Sequence, residues 1–182
     1  MPGRNVSQST TGTHMQVEVR VEAARALALF ASKRDSQAHL VRSGVVPKLV
    51  SFVRGSDPGV RRYGVLGLGN LGVVTQNHQT LFEAGGVSSL LLEAVYSAED
   101  LDTRRCVAFA LNNIASFEPN HRACERAGVL RPLVRLLKDP DPDTHLQAVF
   151  AIRQLSVTAR CRSQLVEMKG LPPLLRREQS RQ

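Results

Sequence analysis

Residues suited to molecular recognition recur along the chain at a nearly constant spacing. Carboxamide side chains stand at Asn70, Asn113 and Gln154, which are 43 and 41 residues apart. A carboxamide can donate and accept hydrogen bonds at the same time. An apolar residue precedes each carboxamide by four positions, a step that keeps both on one face of a helix. With the arginines one step further upstream, the candidate binding residues are Arg62, Leu66, Asn70, Arg105, Phe109, Asn113, Phe150 and Gln154.

Histidine and cysteine could also do chemistry, but their spacing is unfavourable. The three cysteines include no close pair, and the five histidines and three cysteines together do not form a set with the ligand spacing of a zinc site. His78 and His121 follow Asn77 and Asn120, so they occupy one repeated position and are expected to lie far apart. Cys124 fills a position that is otherwise leucine, where a free cysteine acts as a small apolar side chain. We predict no metal site, and without a recognisable catalytic group we predict no enzymatic activity.

One glycine-rich stretch matches a nucleotide-binding pattern. Residues 67–72 read Gly-Leu-Gly-Asn-Leu-Gly, which satisfies G-x-G-x-x-G. That pattern binds a dinucleotide only where a strand precedes it and a helix follows its turn. Here it lies inside a stretch of helical periodicity, in register with small residues of an earlier segment. These glycines are therefore predicted to allow close helix packing, and no cofactor is predicted.

The elements that position these residues are repeated. Several sets of landmarks share the successive spacings 41, 43 and 41, among them Gly44, Gly85, Gly128 and Lys169, and Leu49, Leu90, Leu133 and Leu174. Independent landmarks with one irregular period indicate an internal repeat. The two additional residues of the second step fall between Leu90 and Arg105, in a predicted loop.

Each unit carries helix signals. Asp57-Pro58 and Asp141-Pro142 place an N-cap residue before a proline at the first helical position. A glycine ends the first helix of most units and turns the chain. These glycines are Gly44, Gly85 and Gly128. Each unit is thus predicted to contain a short, a middle and a long helix, with the candidate binding residues on the long helix.

A helix triplet of this period is typical of armadillo and HEAT repeats. Residues 110–115 (Ala-Leu-Asn-Asn-Ile-Ala) and 127–137 (Ala-Gly-Val-Leu-Arg-Pro-Leu-Val-Arg-Leu-Leu) resemble that family in the asparagine of the long helix and the glycine turn before the middle helix. The resemblance implies an all-α fold, a right-handed armadillo-type alpha-alpha superhelix of three to four repeats. Stacked units of this kind bury one continuous core.

The repeat spacing also divides the chain. Residues 16–178 form the predicted armadillo domain, in units of about 16–55, 56–98, 99–139 and 140–178. Residues 1–15 are predicted to be a flexible N-terminal tail, and residues 179–182 a C-terminal tail. The last unit stops soon after its middle helix, and its exposed edge predicts either weak self-association or the need for a neighbouring segment.

In armadillo proteins the asparagine-bearing face lines a concave groove. The resemblance implies that Asn70 and Asn113 hold the backbone of an extended peptide, while Leu66, Phe109 and Phe150 contact its side chains. The alternative is that the two asparagines only cap or bridge neighbouring helices. On the resemblance, the chain is a protein-binding scaffold or adaptor with no small-molecule substrate.

The charge pattern separates this chain from one branch of the family. Importin alpha repeats place tryptophan four residues before the asparagine, whereas this chain contains no tryptophan. Arg62 and Arg105 disfavour a basic cargo, so the groove is closer to that of beta-catenin and favours an acidic peptide. The chain also resembles vacuolar armadillo-type adaptors, although Pro2 stands where N-terminal acylation needs glycine.

Composition leaves two further interpretations open. The net charge of +8 also suits nucleic acid, but with 4 % aromatic residues the chain offers few stacking platforms. The chain could instead be a fragment of a larger armadillo transport receptor or a ubiquitin-ligase substrate module. No apolar run approaches the length of a transmembrane helix. Three cysteines without a disulfide pattern predict a reducing compartment, the cytoplasm or the nucleus.

Overall fold

A computed structural model describes residues 6–84 and 100–174, with side chains from residue 15 onward. All regular elements in these ranges are helices, as predicted, and two 3₁₀ turns stand at 75–77 and 118–120. The α-helices are α1 (Val6–Ala31), α2 (Arg34–Arg42), α3 (Val45–Val53), α4 (Pro58–Leu71), α5 (His78–Glu83), α6 (Leu101–Ala115), α7 (His121–Arg126), α8 (Leu130–Leu136), α9 (Pro142–Leu155), α10 (Ala159–Glu167) and α11 (Leu171–Leu174).

The long helices begin at aspartate N-caps. Carboxylate oxygens of Asp57 and Asp141 accept hydrogen bonds from the backbone amides of Val60 and Thr144, at 2.8 and 2.9 Å. Both predicted caps are thus confirmed. Asp100 caps α6 in the same way, although no proline follows it. It occupies the register position of the other two caps, a signal present in the sequence.

A left-handed residue separates the first two helices of several units. Gly44 has a φ of 75° and Gly128 a φ of 70°, which confirms the predicted turns. Lys169 occupies the same register position and adopts a φ of 53° although it is not glycine. Gly85, the remaining member of this series, lies outside the described residues.

The long helices form one row. Helix α1 packs on α4, α4 on α6, and α6 on α9, while α3 packs on α4 and α8 on α9. One cluster of buried apolar side chains runs through these contacts, from Ala24 on α1 to Leu165 on α10. Each helix buries its apolar face only against its neighbours, which is the principle of a solenoid.

The glycines of α4 lie where helices approach closely. A Cβ atom added to Gly64 would stand 2.9 Å from the Cβ atom of Phe52, and one added to Gly67 would stand 2.9 Å from Cδ2 of Leu49. Gly69 faces Ala110 of α6 equally closely, at 3.0 Å. The dinucleotide-like pattern therefore serves helix packing, as predicted.

The structure differs from the prediction at the N-terminus. Helix α1 begins at Val6, so residues 6–15 are helical where we predicted a flexible tail over residues 1–15. Polar residues alone do not end a helix, and no proline interrupts the segment between Val6 and the packed part of α1. The predicted tail at 179–182 lies outside the described residues.

Candidate functional site

The predicted binding residues occupy one register on three successive long helices. They lie on α4, α6 and α9, which pack in that order. Their side chains are half-buried or exposed, in contrast to the buried residues that alternate with them. We call this set the ladder face; it consists of Arg62, Leu66, Asn70, Arg105, Phe109, Asn113, Phe150 and Gln154.

The two asparagines of the ladder face each bridge to the preceding long helix. Asn70 donates through Nδ2 to the carbonyl oxygen of Ala28 at 3.0 Å, and Asn113 donates in the same way to Gly69 at 3.1 Å. Ala28 and Gly69 are equivalent positions one unit apart. Within the described residues no donor reaches Oδ1 of either asparagine. Each carboxamide is therefore held in place by one bond and keeps an acceptor for another partner.

The arginines of the ladder face are paired with carboxylates of the next unit. Arg62 donates through Nη1 to Asp102 at 2.8 Å. Arg105 binds Asp141 at two points, with Nε to Oδ2 at 3.0 Å and Nη2 to Oδ1 at 2.6 Å. Asp143 adds a longer ionic contact to Arg105, at 3.7 Å. The positive charge of this face is thus largely balanced within the protein.

Asp141 is the most constrained carboxylate of the site. It is buried, and besides Arg105 it accepts hydrogen bonds from the backbone amide and the hydroxyl of Thr144. The bond from Arg105 is the main reason that the pKa of Asp141 lies well below its usual range, and the bonds from Thr144 lower it further against the opposing effect of desolvation. The same contact raises the pKa of Arg105.

The carboxylates that bind Arg62 and Arg105 were not predicted from the sequence. Asp102 and Asp141 stand 40 and 36 residues after Arg62 and Arg105, in the first turn of the following long helix or at its N-cap. An aspartate at or just after the start of the next long helix is a usable signal, although the two aspartates occupy different positions of the repeat. This aspartate can be recognised as a partner of the arginine only when the long helices are known to pack side by side.

A second row of polar side chains is buried inside the solenoid. Gln37, His78 and His121 each contact the carbonyl oxygen six residues earlier, at the end of the preceding long helix, at 2.7, 2.6 and 2.8 Å. Asn77 donates to Oε1 of Gln37, and Asn120 lies 2.9 Å from Nδ1 of His78. These contacts tie consecutive units together.

The two buried histidines of this row bond backbone carbonyl oxygens, and the cysteines lie outside the row. In the ranges that the structure describes, no three His, Cys, Asp or Glu side chains form a group suited to a metal ion. Burial raises the pKa of Cys106 to about 11 and that of Cys124 to about 12. A thiol with such a pKa is protonated at neutral pH and is a poor nucleophile.

Comparison with known proteins identifies the repeat. The family model "Armadillo/beta-catenin-like repeat" matches residues 126–157, which contain α8 and α9. U-box domain-containing protein 16 of Arabidopsis thaliana is 26 % identical over 129 residues, which cover 70 % of this chain and 19 % of the plant protein. The chain therefore spans about a fifth of the length of that relative.

Solved structures agree with the family model. A designed armadillo repeat protein superposes with a TM-score of 0.77 and 26 % identity, over 85 % of this chain and 66 % of the designed one. Another, solved in complex with the peptide (KR)4, gives 0.76 and 27 % over 84 % and 65 %. A further engineered protein gives 0.79 and 25 % over 87 % and 66 %.

The chain is an armadillo repeat solenoid. Residues 126–157 match the armadillo repeat model, and the right-handed superhelix implied by the sequence is the fold of these neighbours. Solenoids of this type present extended surfaces for protein interaction and are typically not enzymes. None of the helices in the described ranges combines the length and hydropathy of a membrane-spanning segment.

Proposed function

We propose that the chain is a protein-interaction scaffold or adaptor that holds an extended peptide segment of its partner along the ladder face. The observation that carries the proposal is the repeated asparagine geometry. Asn70 and Asn113 each use one N–H to bridge successive long helices. The second N–H and Oδ1 are left for a ligand, which matches the alternating donors and acceptors of a peptide backbone. Because the bridge fixes each carboxamide beforehand, little side-chain freedom is lost on binding.

Side chains of the peptide are accommodated by the apolar members of the ladder face. Leu66 and Phe109 are half-buried and Phe150 is exposed, so each offers apolar surface next to a carboxamide. Burial of a peptide side chain against these residues supplies affinity, and the carboxamides fix the direction of the peptide.

We propose an acidic peptide as the preferred ligand. The chain carries a net charge of +8, which favours acidic partners over distance. Arg62 and Arg105 already bind aspartates, so the attraction comes from the whole surface rather than from these two groups. Long-range attraction of this kind is screened by salt. The designed armadillo repeat protein solved with the peptide (KR)4 has a basic ligand, so the acidic preference proposed here would distinguish this chain from that protein.

Selection of linear peptides from a random library displayed on phage tests this proposal. Enriched peptides should be extended, should combine acidic with apolar residues, and should bind in titration calorimetry with an affinity that falls as salt rises. Asn70→Ala and Asn113→Ala should each weaken the selected peptide by about five- to tenfold, because one backbone hydrogen bond is lost. Phe109→Ala should weaken it further.

Gln79→Ala is the matched control. Gln79 is an exposed carboxamide on α5, outside the row of long helices, and its Nε2 atom bonds Glu83. Its removal should leave peptide affinity unchanged. Melting temperatures of all variants separate binding from folding, since Asn70→Ala and Asn113→Ala also remove a bridge between helices. Equal affinity of the wild type, both asparagine variants and Phe109→Ala would place the ligand elsewhere and contradict the proposal.

A second candidate function is that of a substrate-binding module in a larger ubiquitin ligase. Similarity to a U-box domain-containing protein over 70 % of the chain favours it. Affinity purification with the tagged chain in cells treated with a proteasome inhibitor tests it. Ubiquitin-modified proteins should be enriched with the wild type and lost with the combined Asn70→Ala, Asn113→Ala variant. Partners without ubiquitin modification would leave only the scaffold function.

We also propose the cytoplasm as the location, with the nucleus as the alternative. Cys106, Cys124 and Cys161 are unpaired thiols. Free thiols suit a reducing compartment. Fractionation of cells that produce the tagged chain measures this, and recovery from a secretory compartment would contradict it.

A further inference from the structure

The basic residues of the chain include two groups with different surroundings. Arg62, Arg104 and Arg105 lie on the long helices, and each of them binds an aspartate. A second group lies on both sides of the turn at Gly128, which joins α7 to α8. Its members are exposed and make no ion pair within the described residues. We call them the basic cluster; it consists of Arg122, Arg126, Arg131 and Lys138.

Helical spacing places the members of the basic cluster in two short rows. Arg122 and Arg126 are four positions apart on α7. Arg131 lies on α8, and Lys138 follows seven positions later, just beyond the end of that helix. Steps of four and seven residues keep side chains on one face of a helix, and seven residues span about 10 Å. The exposed Arg135 stands between Arg131 and Lys138 in the same row.

The armadillo repeat itself does not require these charges. At the position of Arg126, the units on either side carry glutamate, as Glu83 and Glu167. The basic cluster lies in an internal unit, so its exposure does not depend on where the chain begins or ends. Uncharged residues stand at the described equivalents of Arg122 and Arg131: Gln79, Ser163, Pro47 and Pro172.

The acidic groups close to the basic cluster in sequence have other partners. Glu125 is the only acidic residue between positions 121 and 138, and it is half-buried. Its Oε1 atom accepts a hydrogen bond from the hydroxyl of Thr158 in the next unit. Asp139 binds Arg104 at 2.6 Å. The four positive charges of the basic cluster are therefore available to an external anion.

The surroundings of the basic cluster favour nucleic acid over a protein or a membrane. Protein interfaces contain a buried apolar core, and helices that bind a membrane surface insert apolar residues into it. None of the exposed large apolar residues in the described ranges lies between positions 121 and 138. Contacts to nucleic-acid phosphates need only positive charge, and arginine can bind a phosphate through two parallel hydrogen bonds. Single strands also need aromatic stacking platforms, which this stretch lacks.

We propose that the basic cluster binds the phosphate backbone of a nucleic-acid duplex, irrespective of the base sequence. Binding of this kind releases counterions, so its affinity falls steeply as salt rises. An affinity in the micromolar range is expected at physiological salt, as for other contacts made only to the backbone. The basic cluster belongs to a short and a middle helix, whereas the ladder face belongs to the long helices. This proposal is therefore tested separately from the proposed peptide binding.

Fluorescence anisotropy of short labelled duplexes, titrated with the full chain over a salt series, tests the proposal. Duplexes of different sequence, both DNA and RNA, should bind with similar affinity, because backbone contacts do not read the bases. The logarithm of the association constant should fall against the logarithm of salt concentration with a slope of about −4. Combined replacement of Arg122, Arg126 and Arg131 by alanine should weaken binding by about tenfold or more and reduce the magnitude of the slope by about 3.

Combined replacement of Arg34, Arg42 and Arg54 by alanine is the matched control. These three arginines are exposed, lie in the first unit and make no ion pair within the described residues. Their removal lowers the net charge by the same amount, and duplex affinity should stay close to that of the wild type. The variant that combines Asn70→Ala and Asn113→Ala should also bind the duplex normally. Circular dichroism confirms that each variant is folded.

Three outcomes would overturn the proposal. The first is a wild type that binds neither DNA nor RNA duplex at low salt. The second is an equal loss of affinity in the cluster variant and its matched control, because net charge alone would then explain binding. The third is competition by polyglutamate or by phosphatidylserine vesicles that equals competition by unlabelled duplex at the same charge concentration. That result would assign the basic cluster to an acidic protein or to a membrane surface.

Discussion

Arg105 on α6 holds the N-cap residue of the following long helix, Asp141, through two hydrogen bonds of 3.0 and 2.6 Å. The same carboxylate accepts the backbone amide of Thr144 in the first turn of α9. One side chain thus starts a helix and ties it to the preceding unit. Arg62 links α4 to α6 through a different position, since its partner Asp102 lies in the first turn of α6 and the N-cap residue of that helix is Asp100. In both cases an arginine of one long helix bonds an aspartate at the start of the next, which links consecutive units.

Asp141 should therefore contribute to stability in two separable ways. Asp141→Ala removes the cap and the partner of Arg105, and should lower the free energy of unfolding by about 1–2 kcal/mol for the cap alone. Asp141→Asn keeps a capping oxygen but loses the charge, so it should cost less. Urea unfolding measures both. Asp143→Ala is the control, because Asp143 is exposed and should change stability by less than about 0.5 kcal/mol. Equal losses for Ala and Asn would mean that the cap contributes nothing.

The same carboxylate should make stability depend on pH. Its pKa in the folded protein lies below the ordinary value of 3.8, mainly because of the bond from Arg105. Between the two values the unfolded chain binds the proton more readily, so the contribution is complete above the ordinary pKa and is lost as pH falls below it. Melting temperatures from neutral pH down through that range should fall more steeply for the wild type than for Asp141→Asn. Parallel curves would contradict the assignment.

Local signals explain which parts of the fold could be predicted. The caps Asp57 and Asp141 and the turns at Gly44 and Gly128 depend on residues a few positions apart, so the sequence specifies them directly. The pair Arg105–Asp141 could not be predicted, because its members meet only when two helices 36 residues apart in sequence are stacked. The start of α1 at Val6 could not be predicted in this way, because a polar composition is compatible with both a helix and a flexible tail.

For the ladder face, the positions of the residues could be predicted from the sequence, but their hydrogen bonds could not. Register placed its residues on successive long helices, and the structure has them there. The bridge from Asn70 to Ala28 depends on the distance between two helix backbones, which spacing alone does not give. A carboxamide has more than one hydrogen-bonding group, so the sequence was compatible both with peptide binding by the asparagines and with a bridge between helices.

Lys169 should be replaceable by glycine with a gain in stability. Its φ of 53° is costly for a residue with a Cβ atom, and the equivalent positions are Gly44 and Gly128. After the greater chain entropy of glycine is subtracted, Lys169→Gly should stabilise the fold by about 0.5–1 kcal/mol. Gly44→Ala is the converse test: no atom lies within 4 Å of an added Cβ, so backbone strain alone should destabilise that variant. A loss of stability in Lys169→Gly would show that the lysine side chain matters more than its backbone.

Gly64 and Gly67 should respond differently to alanine, although they share one helix. Alanine favours a helix over glycine by about 1 kcal/mol at either site. At Gly64 the new Cβ would stand 3.0 Å from the backbone nitrogen of Val53 and 2.9 Å from Cβ of Phe52, and neither atom can move alone. At Gly67 it would meet the ends of the Leu49 side chain, at 2.9 and 3.1 Å, which can rotate away.

Gly64→Ala should therefore lower the free energy of unfolding by about 1 kcal/mol or more, since the cost of overpacking exceeds the helix gain. Gly67→Ala should lie within about 0.5 kcal/mol of the wild type, because the helix gain offsets the movement of Leu49. Thermal unfolding of the two variants side by side measures the difference. Helix α9 carries Ala148 and Ala151 at the equivalent positions, so a Cβ there is compatible with the repeat when the facing helix is adapted to it. A larger loss at Gly67 than at Gly64 would show that Leu49 is held more rigidly than the backbone of α3.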